Sequence, residues 1–257
     1  MSPDTPLLLL PSNRHGSGRL ELRIEAASVL DGPGIEHISD IVHVLSKGAS
    51  HGAFPAPGVE PASAYLRIGK TGVEESRVLV FEVDGDGYDW RGFQLLRSMS
   101  ERLLRYDIKV LRVALSSSSA PWDEVPTPLP TDETEYDAYP AMSSLIRFQT
   151  IREPLDDGKS RRAIVDLFTE VDKSQLQRLD VCLRPWFHLL EAGAFALPVG
   201  LPSETESIAG AVTLFDAQSI EVSINCFQAS ECAWNAFVNM VDACWADMRF
   251  VSHVTIE

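Results

Sequence analysis

The residues whose spacing carries the most chemistry are four acids around a glycine turn: Glu82, Asp84, Asp86 and Asp89, interleaved with Gly85 and Gly87. Alternating carboxylates beside glycine are the raw material of a calcium loop, which needs oxygen ligands at set positions and a closing glutamate. Asp84 and Asp86 fit the first two ligand places. Tyr88 occupies the third, and no suitable glutamate closes the loop. Asp89 suits a different task, capping a helix that starts at Trp90, where the helix dipole also favours a carboxylate. What remains for Glu82, Asp84, Asp86 and Asp89 is display of negative charge to a basic partner.

The remaining reactive residue types form no constellation. The histidines are His15, His37, His43, His51, His188 and His253, and none stands two or four positions from another histidine or a cysteine. His37 and His43 share a helix but lie six apart, so they do not share a face. The four cysteines, Cys182, Cys226, Cys232 and Cys244, make no CxxC pair. They read as free thiols in a reducing compartment, not as a disulfide framework or zinc site. There is no GxSxG elbow, no HExxH, no Walker loop and no GxGxxG after a strand. The expectation is therefore a non-enzyme with no catalytic residue, no metal ligand and no cofactor.

The elements that carry these residues repeat. Leu7–Leu10 and Leu20–Ala27 read as strands, the second with Leu20, Leu22 and Ile24 alternating against Glu21, Arg23 and Glu25. Asp31-Gly32-Pro33-Gly34 breaks the chain. Ile35, Ile38, Val42 and Leu45 then recur at helical spacing up to Lys47-Gly48. Tyr65–Ile68 and Arg77–Val83 are strands. Trp90, Phe93, Leu96, Met99 and Leu103 stripe a second helix, and Ile108–Leu115 is the closing strand. The same order follows later: strands at 145–150 and 163–169, a helix capped by Ser174 and interrupted at Pro185, strands at 211–215 and 221–226, and a helix striped by Trp234, Phe237, Met240, Val241 and Trp245. One offset of 144 positions places Trp234 on Trp90, Phe237 on Phe93, Val222 on Val78 and Val254 on Val110. Gly193-Ala194-Phe195 also echoes Gly52-Ala53-Phe54. Trp90, Trp234, Phe54 and Phe195 read as core anchors.

This predicts an α+β protein built as a tandem duplication of a ferredoxin-like unit, βαββαβ plus an extra N-terminal strand, forming a pseudo-dimer. The boundaries are 1–115 for the first repeat, 116–141 for a linker and 142–257 for the second repeat. The linker is rich in serine and proline and carries Asp123, Glu124, Asp132, Glu133, Glu135 and Asp137 with no basic residue between them. If the helices cover the sheet face holding Val78, Val80, Ile108 and Val110, the opposite face of Leu79, Phe81, Val83, Leu111, Val113 and Leu115 is apolar. It then needs a cover from the other half, a loop or a partner.

Charge narrows the partners. The chain has 257 residues, 22 basic and 37 acidic, for a net charge of −15. Non-specific nucleic-acid binding needs a basic footprint and is disfavoured. Leu7–Leu10 is too short for a signal-peptide core or membrane span and is followed by Pro11. The expectation is a cytoplasmic monomer or homodimer with no membrane partner.

Taken together, Gly52-Ala53-Phe54, Gly193-Ala194-Phe195, Trp90 with Phe93, and Trp234 with Phe237, in an acidic chain without catalytic motifs, resemble a bacterial polymorphic-toxin immunity protein. The family in view is the one paired with restriction-endonuclease-like toxins. The resemblance implies a cognate toxin as partner, with a basic nuclease cleft that an acidic surface occludes. Glu82, Asp84, Asp86 and Asp89 are the first candidates for that surface, and Asp123, Glu124, Asp132 and Glu133 the second. The alternative is a non-enzymatic small-molecule or regulatory module with a ligand groove between two ferredoxin-like units.

Overall fold

The structure, a computed structural model, describes residues 6–10, 18–116, 139–153, 161–195, 209–225, 229–246 and 250–257. The first part of the chain contributes β1 (Leu7–Leu9), β2 (Gly18–Ala26), α1 (Gly32–Ser50), β3 (Tyr65–Glu74), β4 (Val78–Asp86), α2 (Leu95–Glu101) and β5 (Val110–Ser116). The second contributes β6 (Gln149–Arg152), β7 (Arg161–Leu167), α3 (Lys173–Glu191), β8 (Ala209–Leu214), β9 (Ser219–Asn225), α4 (Cys232–Cys244) and β10 (Val251–Ile256). Among the described residues this is a mixed α+β fold with two five-stranded mixed sheets and four α-helices. The strand orders are β1-β5-β2-β4-β3 and β6-β10-β7-β9-β8. In each sheet the first strand joins the last in parallel, and the remaining pairs are antiparallel.

The apolar face of the first sheet is covered by its own helices. Leu79, Phe81, Val83, Val113 and Leu115 are buried in one core with Ile38, Val42 and Leu45 of α1 and Leu96 and Met99 of α2. The expectation that the helices lie over Val78 and Val80 has the two faces exchanged. Strand alternation fixes which residues share a face but not which face meets the helices. Val110 still reaches the core, because the β2–β5 register shifts between Glu25 and Ala26. Leu111 is exposed on the other side.

Several helix starts differ from expectation. Asp31-Gly32-Pro33-Gly34 is the first turn of α1 and not a loop. The Asp31 carboxylate accepts from Gly34 N at 2.8 Å, and Pro33 sits where no helical N–H is needed. Helix α3 is capped by Asp172 and not Ser174. Asp172 Oδ1 accepts from Gln175 N at 2.7 Å and Gln175 Oε1 accepts from Asp172 N at 2.8 Å, a complete capping box. The helix continues through Pro185 to Glu191. The Trp90 stripe is broken into a 3-10 turn (Trp90–Gln94), α2, and a second 3-10 turn (Arg102–Tyr106). Strand β6 begins at Gln149, later than expected.

The two parts meet through the Gly-Ala-Phe turns. Gly52 and Gly193 both follow a helix with positive φ, 85° and 77°, a conformation that glycine adopts without strain. Each turn then presents a carbonyl to the other part of the chain. Asn239 Nδ2 donates to Ala53 O at 3.2 Å, and Ser98 Oγ donates to Ala194 O at 2.8 Å. The Phe54 and Phe195 rings lie 6.4 Å apart at the junction. Helices α1 and α3 also pack against each other, so close that a Cβ on Gly48 would lie 2.4 Å from Leu189 Cδ1.

Candidate functional site

Strand β4 positions the predicted acids. Its pleat sends Leu79, Phe81 and Val83 inward and Glu82, Asp84 and Asp86 outward, so three of the four carboxylates share the face opposite the core. Glu82 and Asp86 are exposed and Asp84 is half-buried. Asp84 is flanked in register by Arg19 on β2 and Arg67 on β3. Further along, Arg23 pairs with Glu21, and Glu25 lies 3.5 Å from Arg77 and 3.6 Å from Arg112. The face is thus a lattice of mixed charge whose acids concentrate toward the Gly87 end.

Asp89 does not belong to that face. It is 1% exposed, caps the Trp90 turn through Arg91 N at 3.0 Å, and is held by the Arg91 guanidinium at 2.5 Å. That guanidinium also lies 5.1 Å over the Tyr139 ring. Burial, and then the Asp89 carboxylate, push the Tyr88 phenol well above its usual range. Burial, then Tyr88 and Asp89, do the same for Tyr139, with Arg91 opposing them. Here Asp89 serves a buried anchor. Asp123, Glu124, Asp132 and Glu133 lie outside the described residues.

A second arrangement has no sequence signature. At one end of the second sheet, Asp166, Glu170, Asp216, Gln218, Ser219, Ser252 and His253 line a cleft of about 520 Å³. Asp166 is its centre. Its carboxylate meets His253 Nε2 at 2.9 Å and accepts from Ser219 Oγ at 2.5 Å. Ser252 Oγ lies 3.1 Å from His253 Nδ1 and also donates to Asp166 O at 3.1 Å. A register shift between Val251 and His253 lets both neighbours face the same cleft. The Asp216 carboxyl is held below its usual range, first by a hydrogen bond from the Gln218 amide.

Serine, histidine and aspartate in contact invite comparison with a hydrolytic triad. The geometry points elsewhere. Ser252 spends its hydroxyl on a strand carbonyl. The nearby amides of Leu167, Phe168 and Val171 donate to Gln218, Phe250 and Ala217 carbonyls and so do not form an oxyanion hole. The Ser252 hydroxyl and these amides are thus engaged within the fold, and what the cleft presents is a polar lining. Its residues come from three strands and two connecting segments, 53 positions apart between Asp166 and Ser219 alone. Among the described residues no group of three or more histidines, cysteines or acids is arranged to hold a metal ion, and no helix is long and apolar enough to cross a membrane.

These features define a mixed α+β protein with a charged outer sheet face and a polar cleft. No family model and no curated protein sequence matches the chain. Among solved structures it has weak likeness to the ferredoxin protease FusC, a point mutant in complex with Arabidopsis ferredoxin, at 9% identity and a TM-score of 0.20 over 94% of this chain and 34% of that one. Its likeness to the periplasmic protease PqqL from Escherichia coli is as weak, at 8% identity and a TM-score of 0.19 over 95% of this chain and 36% of that one. The chain spans about a third of the length of each, and likeness this low carries no argument about fold or function.

Proposed function

We propose that this protein is a binding module that neutralises a basic protein partner, as an immunity protein neutralises a toxin, by laying an acidic surface over the partner's cleft. The observation that carries the reading is the outward alternation of Glu82, Asp84 and Asp86 on a sheet face that no helix covers among the described residues. The net charge of −15 supports it, since complementary potentials speed encounter and exclude wrong partners. The same reading takes the two halves as a tandem duplication of a ferredoxin-like unit. Its support is the identical strand order of the two sheets, each extended by one parallel strand.

Co-expression with the product of the adjacent gene tests the reading directly. A tight one-to-one complex is expected. Glu82→Lys with Asp86→Lys should slow its association about tenfold at low salt, and the difference should shrink as salt screens the charges. Absence of any complex, or an association rate indifferent to both substitutions and salt, removes the proposal.

The cleft around Asp166 favours a second reading, a module that binds a small polar ligand. A thermal-shift screen of polar metabolites is then expected to raise the melting temperature, and Asp166→Asn to abolish the shift. A flat screen eliminates this reading and leaves the first untouched.

A further inference from the structure

Among the described residues the two sheets end on the edge strands β1, β3, β6 and β8. An edge strand offers unpaired backbone groups, and proteins blunt it by shortness, charge or a bulge. Strands β1 and β6 are only 3 and 4 residues long. Strand β3 carries Arg67 and Glu74 and a register shift between Ile68 and Thr71. Strand β8 has none of these devices. From Ala209 to Phe215 the chain has no charged residue and no proline, and β8 pairs with β9 without a register shift. Gly210, Ala211, Thr213, Leu214 and Phe215 are exposed, Leu214 to 56% and Phe215 to 51%.

The backbone of β8 is aimed for pairing. Phe215 N donates to Ser219 O at 2.9 Å, and the strands run in register from Ala209 opposite Asn225 to Leu214 opposite Ile220. Bonded and non-bonded pairs alternate in an antiparallel ladder. Ala211 and Thr213 therefore bond to β9, while Gly210, Val212 and Leu214 direct their N–H and C=O groups away from it. The side chains are graded along the same strand. Gly210, Val212 and Leu214 stand opposite Ile224, Val222 and Ile220, all buried, so they share the core face. A Cβ on Gly210 would lie 2.0 Å from Phe187 Cε1, so only glycine lets that ring approach the strand. At the other end, the large Leu214 side chain projects into solvent.

We propose that β8 pairs with β8 of a second copy of this chain, antiparallel and two-fold symmetric about Val212, which joins the five-stranded second sheets of the two copies into one. In this register Gly210 of each copy faces Leu214 of the other, and Val212 faces its own twin. Each of these pairs brings outward-pointing groups together and exchanges two hydrogen bonds. The small end meets the large end: Leu214 of one copy lies over Gly210 and beside Phe187 of the other, and Ala211 stands opposite Thr213. A shift by two residues sets Leu214 against Val212 and loses the match. A gradient that fits its own reverse is what an isologous interface requires, and it selects a second copy over the strand of another protein. Charge selects the same occupant. The uncharged edge sets no carboxylate against its twin in a chain of net charge −15, and it offers a basic partner nothing to recognise. Pairing at β8 does not involve the acids of β4, which lie in the first sheet.

Sedimentation velocity of the full chain from about 5 to about 500 µM is expected to show a reversible passage from monomer to dimer, as befits a small interface. Because both copies are acidic, added salt should strengthen the dimer, the opposite of its effect on a complex with a basic protein. Leu214→Lys changes both ends of the symmetric pair. It should weaken the dimer at least about tenfold and leave the melting temperature of the dilute protein unchanged. Cross-linking reads the register even if that variant folds poorly. The Cα atoms of a non-hydrogen-bonded antiparallel pair lie about 4.5 Å apart, within disulfide reach. Ala211→Cys and Thr213→Cys proteins, mixed and oxidised, should yield the mixed 211–213 disulfide peptide by mass spectrometry in preference to either symmetric product. A chain that stays monomeric across the concentration range, a dimer indifferent to Leu214→Lys in a folded variant, or a dimer without the mixed peptide overturns the proposal.

Discussion

Trp186→Ala should lower the unfolding free energy by about 3–5 kcal/mol, the usual cost of deleting a fully buried large aromatic side chain. Trp186 has no exposed surface, and its ring centroid lies 4.9 Å from Phe237, 5.2 Å from Trp234 and 5.4 Å from Phe187. It therefore joins α3 to the start of α4. Truncation removes these contacts and leaves a cavity that three large rings cannot fill by rotating. It also removes the buried hydrogen bond from the indole N–H to the Ala233 carbonyl at 2.9 Å, which no alanine can replace. Trp186→Phe keeps most of the ring contacts and loses the hydrogen bond, so it should recover a large part of the deficit. Urea denaturation gives the comparison, with a shifted midpoint and an unchanged slope. A loss below about 1 kcal/mol for Trp186→Ala would falsify the role of this ring as the centre of the second core.

Arg147→Ala is expected to cost about as much for an electrostatic reason. Asp242 of α4 is 3% exposed, and Arg147 is its counter-ion: Arg147 Nε lies 3.0 Å from Oδ1 and Nη2 3.0 Å from Oδ2. The Arg147 backbone N–H adds a bond to Oδ1 at 3.1 Å, and the same guanidinium donates to the Asp242 carbonyl at 2.6 Å. Removing one partner of a buried pair leaves the other charge without compensation, at about 3–5 kcal/mol. The lower end is expected, since the Arg147 side chain is itself 28% exposed and water can enter where it stood. The double variant Arg147→Ala/Asp242→Ala should be more stable than Arg147→Ala alone, because no buried charge remains. If the two single losses simply add in the double variant, the pair is not coupled.

Much of this fold is written in local pattern. Alternation in β2 and β4, the helical stripe of Ile38, Val42 and Leu45, the Asp89 cap and the matched Gly-Ala-Phe turns are short-range signals, and each sits in its expected element. Short-range signals fail where two local solutions are equivalent. Asp31-Gly32-Pro33-Gly34 suits a loop or the first turn of a helix, and only the hydrogen bond from Gly34 N to Asp31 decides. Trp186 and Phe187 both continue the stripe that starts at Leu179 and Leu183. The chain buries the tryptophan and leaves the phenylalanine at the margin, because only the indole meets the Ala233 carbonyl and the facing rings.

The acids of β4 show the division most plainly. By itself the sequence determines that Glu82, Asp84 and Asp86 share one face of a strand, because the pleat repeats every second residue. It determines that Asp89 caps the following turn, because that is a local bond. Tertiary packing decided that the acid face is the one turned away from the core, that Asp89 is buried under Arg91, and that Asp166, Ser219, Ser252 and His253 converge on one cleft. The reason is physical: periodicity encodes relations within an element, whereas contacts between distant elements depend on which of several apolar surfaces pack together, and that choice belongs to the whole chain.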